Sequence, residues 1–191
     1  FGASIRSNTY ENGIGIIDFD RPVTSIGGRA FYDCSSLKSI VIPDSVTSIG
    51  DNAFYFCMNL ASVTVPEGVT SIGDNAFSNC LSLNSITIPK TVTSIGDSAF
   101  IGCSSLAEFK GKFASSDGRC LVIDGMLNSF APAEITEYTI PNSVTAIGNY
   151  AFYNCLSLER VIIPTSVTTI GENSFYYCSS LVSVTIPDSV T

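Results

Sequence analysis

The sequence predicts a solenoid, one stack of 23-residue coils forming a single domain over residues 1–191, on three observations. A phrase recurs. It is cleanest from Val46 to Glu67, V-T-S-I-G-D-N-A-F-Y-F-C-M-N-L-A-S-V-T-V-P-E, restarts at Val23, Val69, Val92, Val144 and Val167, and opens once more at Val190. Apolar residues also hold fixed columns: Phe31, Phe54, Phe77, Phe100, Phe152 and Phe175 form one, and Leu37, Leu60, Leu83, Leu106, Leu158 and Leu181 another. A fixed period of about 20–50 residues is the mark of stacked repeats. Finally, no copy can fold alone. About six apolar side chains, worth roughly 1.5–3 kcal/mol each when buried, do not offset roughly 1–2 kcal/mol of backbone ordering per residue. Burial must come from neighbouring coils, so stability adds along the stack.

Residues 1–22 read as a degenerate N-terminal coil. Placing Phe19 opposite Ile42 sets Ile14, Ile17 and Phe19 on the Leu, Ile and Ile columns, while Asp18, Asp20 and Arg21 supply the polar outer face that an end coil needs. Residues 23–111 are repeats, each of which alternates two periodicities. Leu83, Ile86 and Ile88 form L-x-x-I-x-I, a short strand with the isoleucines inward and Ser85 and Thr87 outward. Pro43, Pro66, Pro89, Pro141, Pro164 and Pro187 follow it and end the ladder, because proline has no N–H to donate. V-T-S-I-G is a second extended piece, with Gly50 and its equivalents permitting a tight turn. Ala53, Phe54, Cys57 and Leu60 then fall at i, i+1, i+4 and i+7, the face of a helical turn or two. Asp51, Asp74, Asp97, Asn149 and Glu172 stand just ahead of that face, where Asp and Asn suit an N-cap. Stacked carboxylates holding calcium are the sharper alternative, but the column lacks the several oxygen ligands per ion that calcium takes.

These residues carry a family resemblance. L-x-S-V-T-I-P-x-S-V-T-S-I-G-D-x-A-F-x-x-C, over Val23–Lys110 and Ile135–Thr191, resembles the 23-residue leucine-rich repeat of bacterial surface proteins of the BspA type. The resemblance implies a leucine-rich repeat solenoid, a curved right-handed coil with short parallel β-strands on its concave side and short helical turns on the other. It also implies a surface protein that binds host or neighbouring-cell proteins, with no catalytic site and no fixed ligand residues.

The sequence departs from the pattern at residues 112–134. Leu106 to Ile135 is 29 residues, and G-D-x-A-F-x-x-C is missing between them. Arg119 to Phe130, R-C-L-V-I-D-G-M-L-N-S-F, reads as an inserted β-hairpin turning at Asp124-Gly125, a pair suited to a type I′ turn. Two readings stand: an insertion that pairs with the stack, or a binding projection displaying Arg119, Asp124, Gly125 and Met126. Residues 135–191 resume the repeat through Ile135, Tyr138 and Ile140 and break off inside a new copy.

Composition excludes several function classes. The net charge of −8, with Lys110, Lys112 and Arg119 interleaved with Glu108 and Asp117, argues against a nucleic-acid partner, which needs clustered cations. The absence of histidine removes histidine triads and histidine metal sites, and no P-loop or G-x-G-x-x-G fingerprint occurs. No enzyme, no metal and no small-molecule cofactor is expected. Cys34, Cys57, Cys80, Cys103, Cys155 and Cys178 share one repeat position. Coils about 4.8 Å apart hold parallel Cβ atoms beyond the roughly 3.5–4.5 Å of a bridge, so these read as buried thiols, with oxidation or metal binding as lesser alternatives. Cys120, outside the ladder, reads as the accessible one. No stretch approaches the roughly 18 apolar residues of a membrane helix, and the chain, which begins at Phe1 rather than Met, opens on no cleavable signal peptide. Both ends read as cut, with any export signal or anchor outside the fragment.

Function therefore falls to surfaces. The strand side carries outward pairs including Ser62 and Thr64, Ser85 and Thr87, Glu108 and Lys110, Glu137 and Thr139, and Arg160 and Ile162, which read either as a ligand face or as solvated sheet. On the opposite side the position after Phe is Tyr32, Tyr55, Ser78, Ile101, Tyr153 and Tyr176. Tyrosine brings large contact area at low entropy cost. Those ridges read as protein-contact sites, with tyrosines lying flat over the neighbouring coil as the plain alternative. The expected function is a non-enzymatic, extracellular protein-binding module on a bacterial cell surface, in adhesion or host-protein interaction. A spacer holding another domain away from the cell is the alternative, and glycan binding is weakened by the absence of Trp. Expected partners are extracellular or host proteins, with self-association through open solenoid ends.

Overall fold

The computed structural model describes residues 2–11 and 14–191, and the side chains of all of these except 8, 10, 11 and 14. It is a β-solenoid of about seven turns. The chain opens on strands β1 (Ile5–Glu11) and β2 (Ile14–Phe19). Each coil then supplies a short and a longer strand: β3 (Ser25–Ile26), β4 (Ser39–Val41), β5 (Ser48–Ile49), β6 (Ser62–Thr64), β7 (Ser71–Ile72), β8 (Ser85–Ile88), β9 (Ser94–Ile95) and β10 (Glu108–Gly111). The interruption contributes β11 (Cys120–Ile123) and β12 (Met126–Phe130), and the second half β13 (Glu137–Thr139), β14 (Ala146–Ile147), β15 (Arg160–Ile162), β16 (Thr169–Ile170) and β17 (Ser183–Thr185).

The two strand types stack into separate parallel ladders. The short strands run β3-β5-β7-β9, with Ile26, Ile49, Ile72 and Ile95 in one file. The longer ones pair β4-β6, β8-β10 and β13-β15-β17, each residue facing its equivalent 23 positions on. This register is what the period demands, since a slip of one residue would turn every core side chain to solvent.

The described residues ahead of the first repeat form a hairpin. β1 and β2 pair antiparallel, Ile5 opposite Phe19 and Glu11 opposite Ile14, and Ser4 N–H donates to Asp20 Oδ1 at 2.8 Å. Phe19 still packs against the core, as the column assignment requires, while Ile16 is exposed. The assignment of the Ile14 side chain to the Leu column lies outside the described residues.

The third side of each coil corrects the expected helical turns: among the described residues there is no helix. Residues such as Asn52 and Phe56, Asn75 and Asn79, and Tyr150 and Asn154 take positive φ at intervals of four, which no α-helix tolerates. Alternate amides therefore turn outward. Asn52, Phe54 and Phe56 N–H donate to Asp74, Ala76 and Ser78 carbonyls at 2.8, 2.7 and 3.0 Å, while Ala53, Tyr55 and Cys57 close local three-residue turns. Bonds between coils replace bonds within a helix. The acid column follows the same rule: Asp51 and Asp74 Oδ1 accept from the amides of Asp74 and Asp97 at 3.0 and 2.9 Å, and Asn149 Oδ1 from Glu172 at 2.8 Å. They cap the next coil's amide, not a helix of their own.

The core is a set of files. Phe31, Phe54, Phe77 and Phe100 rings stack at 5.1, 5.0 and 5.5 Å, nearly parallel, and Phe152 stacks on Phe175 at 5.0 Å. Cys57, Cys80, Cys103 and Cys178 thiols donate to the carbonyls of Phe31, Phe54, Phe77 and Phe152 at 3.0–3.2 Å. The cysteines are free, and the exposed one is Cys34. Cys120 is fully buried instead of accessible, because β11 runs inside the stack.

The hairpin lies in the solenoid and does not project from it. Asp124 and Gly125 have φ of 49° and 82°, the pair of left-handed residues that a type I′ turn needs. β12 then pairs parallel to β14, Met126 with Ala146 and Leu127 with Ile147, so it stands where a short V-T-S-I strand would. Phe130 comes within 4.7 Å of the Phe152 ring and fills the Phe file. Leu127 and Phe130 are apolar and β12 has one open place to bury them, so the hairpin is drawn in.

Candidate functional site

On the strand face, Ser62, Thr64, Thr87, Lys110, Glu137, Thr139, Arg160 and Ile162 are exposed, and Ser85 and Glu108 half-buried. Its charges are already paired: Lys110 Nζ lies 2.6 Å from Glu108 Oε1, and Arg160 Nε 3.5 Å from Glu137 Oε1. Exposed pairs like these contribute little to stability, and they leave no unbalanced charge for a ligand.

The turn face is different. Tyr32 and Tyr55 stack at 5.2 Å, and Tyr153 and Tyr176 at 6.0 Å. Edge contacts of Phe56 with Tyr55 and Tyr177 with Tyr153, and a tilted contact of Tyr177 with Tyr176, widen each pair. Tyr32, Tyr176 and Tyr177 are 46%, 49% and 58% exposed, against an interior Ser78 at 1%. Tyrosine on tyrosine is thus the observed arrangement, with rings leaning along the stack and outer faces open. Repeat spacing made this legible for four of them, whereas Tyr150 and Tyr177 fall at other repeat positions. Tyr150 sits in an edge contact 6.1 Å from Tyr153 and accepts from Asn173 Nδ2 at 3.1 Å.

The interruption lies between the two tyrosine sets. Residues 130–134 return to the strand side without forming the usual turn, Ala133 N–H donating to Leu106 O at 3.0 Å. Ile101 and Gly102 of one half therefore meet Tyr150 and Tyr153 of the other around a cavity of about 10 Å³. Burial, with the phenols of Tyr177, Tyr55 and Tyr150 adding to it, raises the Tyr153 pKa.

The hairpin residues are mostly committed to structure. Arg119 Nη1 donates to the Ala131 and Ala133 carbonyls at 3.4 and 3.0 Å, and Gly125 O accepts from Thr145 N–H at 2.8 Å. Asp124 is exposed and Met126 partly so. Beside them lies a polar cluster that sequence reasoning missed. Tyr138 Oη donates to Asp117 Oδ2 at 2.9 Å and lies 3.1 Å from Cys120 Sγ, while Ser115 Oγ and Arg119 N–H donate to Asp117 Oδ1 at 2.5 and 3.0 Å. Burial opposes ionisation of Asp117, but the bonds from Ser115, Arg119 and Tyr138 outweigh it and hold the carboxyl below its usual range. Burial pushes the Cys120 thiol up to about 12 and raises Tyr138 as well. A protonated thiol is no nucleophile. The cluster locks the interruption to the strand that follows it.

Among the described residues no group of three or more His, Cys, Asp or Glu could hold a metal, and no helix is long and apolar enough to cross a membrane. Fold and surfaces together define a repeat scaffold that presents side chains in files. The chain belongs to the BspA type leucine rich repeat family, whose family model matches residues 3–116 and 127–191 in six copies. The internal unmatched stretch, residues 117–126, falls within the interruption. Repeat proteins of this class generally serve as binding scaffolds that mediate protein–protein interaction.

Among solved structures, the chain is similar in fold to the pneumococcal vaccine antigen PcpA, with a TM-score of 0.75 at 24% identity over 88% of this chain and 44% of that one. It is also similar to a leucine-rich repeat protein of Eubacterium ventriosum (TM-score 0.59, 25% identity, 84% and 57% covered) and to the T. pallidum leucine rich repeat protein (0.51, 31%, 86% and 64%). The chain thus spans about two fifths to two thirds of the length of these proteins. No curated protein matches it.

Proposed function

We propose that the chain is a non-enzymatic, extracellular protein-binding module of a bacterial cell-surface protein, acting in adhesion or host-protein interaction through its tyrosine-bearing turn face. One observation carries the choice of face: Tyr32 on Tyr55 and Tyr153 on Tyr176 form two stacked pairs on a rigid frame, with Tyr32, Tyr176 and the adjoining Tyr177 exposed. Pre-stacked aromatics lose little freedom on binding, so contact area converts to affinity with a small ordering cost. The strand face is neutral or self-paired in charge, and its exposed apolar side chains, Val41 and Ile162, are aliphatic and not aromatic. Membership of a family typical of bacterial surface proteins supports the location.

The test is binding of the fragment to a panel of extracellular-matrix and host-cell proteins. It runs beside a variant with Tyr32, Tyr55, Tyr153 and Tyr176 changed to Ser, and one with Ser62, Thr64, Ser85 and Thr87 changed to Ala. Saturable binding lost only in the first supports the proposal. Loss only in the second moves the site to the strands, and no binding by the parent leaves a spacer as the function.

A further inference from the structure

The turn face is not only aromatic but acidic. The turn segments of its six coils, residues 27–36, 50–59, 73–82, 96–105, 148–157 and 171–180, hold Asp33, Asp51, Asp74, Asp97 and Glu172 against Arg29 as the one base. That base is informative: its Cζ lies over the Tyr32 ring, 5.8 Å from the centroid, within the range of a cation–π contact. The face already stacks a guanidinium on one of its tyrosines, and the remaining open rings have no such partner among the described cation contacts.

The missing turn adds a specific seat. Asp51 and Asp74 each give a carboxylate oxygen to the amide of the next coil, but beyond Asp97 that coil is the interruption. The Asp97 side chain has no hydrogen-bond or ion-pair partner among the described residues. It lines a groove of about 320 Å³ together with Ser98, Met126, Asn128, Gly148 and Asn149 and the short strands β14 and β16, with no Lys or Arg among its lining residues. Ser98 and Asn128 also line the small cavity beside Tyr150 and Tyr153, so groove and tyrosines adjoin. A flexible apolar thioether beside a carboxylate suits a long aliphatic stem that carries a charge at its end.

We infer that the turn face takes an extended, cationic segment of a partner protein, with one lysine or arginine seated at Asp97 in the groove left by the missing turn and further cations lying over the tyrosine rings. This rests on the tyrosine-face reading and adds the chemistry of the partner. The field of the five carboxylates steers such a segment to the face.

The test titrates two labelled synthetic peptides, one alternating Arg and Gly and one alternating Glu and Gly, against the parent chain, Asp97→Asn and the fourfold Tyr→Ser variant. Asp97→Asn is a mild change, since Asn149 already occupies this column. Circular dichroism and thermal unfolding confirm that each variant is folded. The Arg-Gly peptide is expected to bind saturably, about tenfold more weakly to Asp97→Asn, a loss typical of one charge-assisted contact. Binding should weaken as salt rises, and the Glu-Gly peptide should not bind. Equal binding by the Glu-Gly peptide, no binding of Arg-Gly, or no loss in Asp97→Asn overturns the inference. If the Tyr→Ser variant still loses its protein partner in that case, the tyrosine face stands without the cation. Undiminished partner binding by Tyr→Ser removes the face and the inference together.

Discussion

Replacing Gly96 by Ala should cost far more than its conformation implies. Gly96 is not in the left-handed region, so helix- or turn-type glycine arguments do not apply, and Ala there would gain about 0.4–1 kcal/mol from a stiffer unfolded chain. The obstacle is the neighbouring coil. An added Cβ would stand 2.2 Å from Asp74 Oδ1, 2.5 Å from Asp74 N and 2.6 Å from Gly73 C. Two of those atoms are backbone and cannot swing aside. Relief means parting the coils, which loosens Gly96 N–H to Ile72 O at 2.8 Å and Asp97 N–H to Asp74 Oδ1 at 2.9 Å. Overpacking at about 1–3 kcal/mol plus two hydrogen bonds at about 1 kcal/mol each, less that gain, gives a loss of about 2–5 kcal/mol. The control is Gly28, one position past Gly27, which heads this column, and there the nearest atom to an added Cβ is Asp51 O at 3.3 Å. Gly28→Ala should change stability by less than about 1 kcal/mol. Urea unfolding followed by circular dichroism measures both. Equal midpoint shifts for the two variants would refute the claim that the glycine column exists for coil-to-coil approach.

Three further outcomes are expected. Phe77→Ala should destabilise by about 3–5 kcal/mol, since its fully buried ring is stacked on both sides at 5.0 and 5.5 Å, and Phe175→Ala, half-buried with one stacking partner, should cost less in the same urea assay. A thiol reagent at neutral pH should label Cys34 first, leaving Cys57, Cys103 and Cys120, whose burial lifts each to about 12, protected until the chain unfolds; peptide mapping of the labelled sites checks this. Asp117, with its pKa lowered in the fold, lends stability that is present above the ordinary carboxylate range and lost as pH falls through its folded value. The urea midpoint should therefore drop below about pH 4, and drop less in Asp117→Asn; identical acid limbs would show that the cluster carries no such linkage.

Much of this was legible from residues alone, because repetition turns a sequence into aligned columns. The Phe, Leu, Val and Ile files are the core, and Asp124-Gly125 turns the hairpin with both residues left-handed. Where the reading failed, it treated a coil in isolation. Ala53, Phe54, Cys57 and Leu60 do share a face, yet Asn52 and Asn75, residues tolerant of positive φ, sit where a helix would exclude them. Those asparagines were the available signal.

The amino-acid sequence by itself determined the period, the register and which side chains face inward, since a 23-residue repeat of apolar columns can be buried in no other alignment. Only the stacked structure decided what each column is for. The glycines make room for the preceding coil's aspartate, that aspartate holds the amide beyond it, and the tyrosines rest on each other. It also decided that losing one turn draws β12 into the stack, buries Cys120 and leaves Asp97 without its amide. These are relations between residues 20 or more positions apart. They arise because a backbone N–H is satisfied more completely by the neighbouring coil than by its own chain segment.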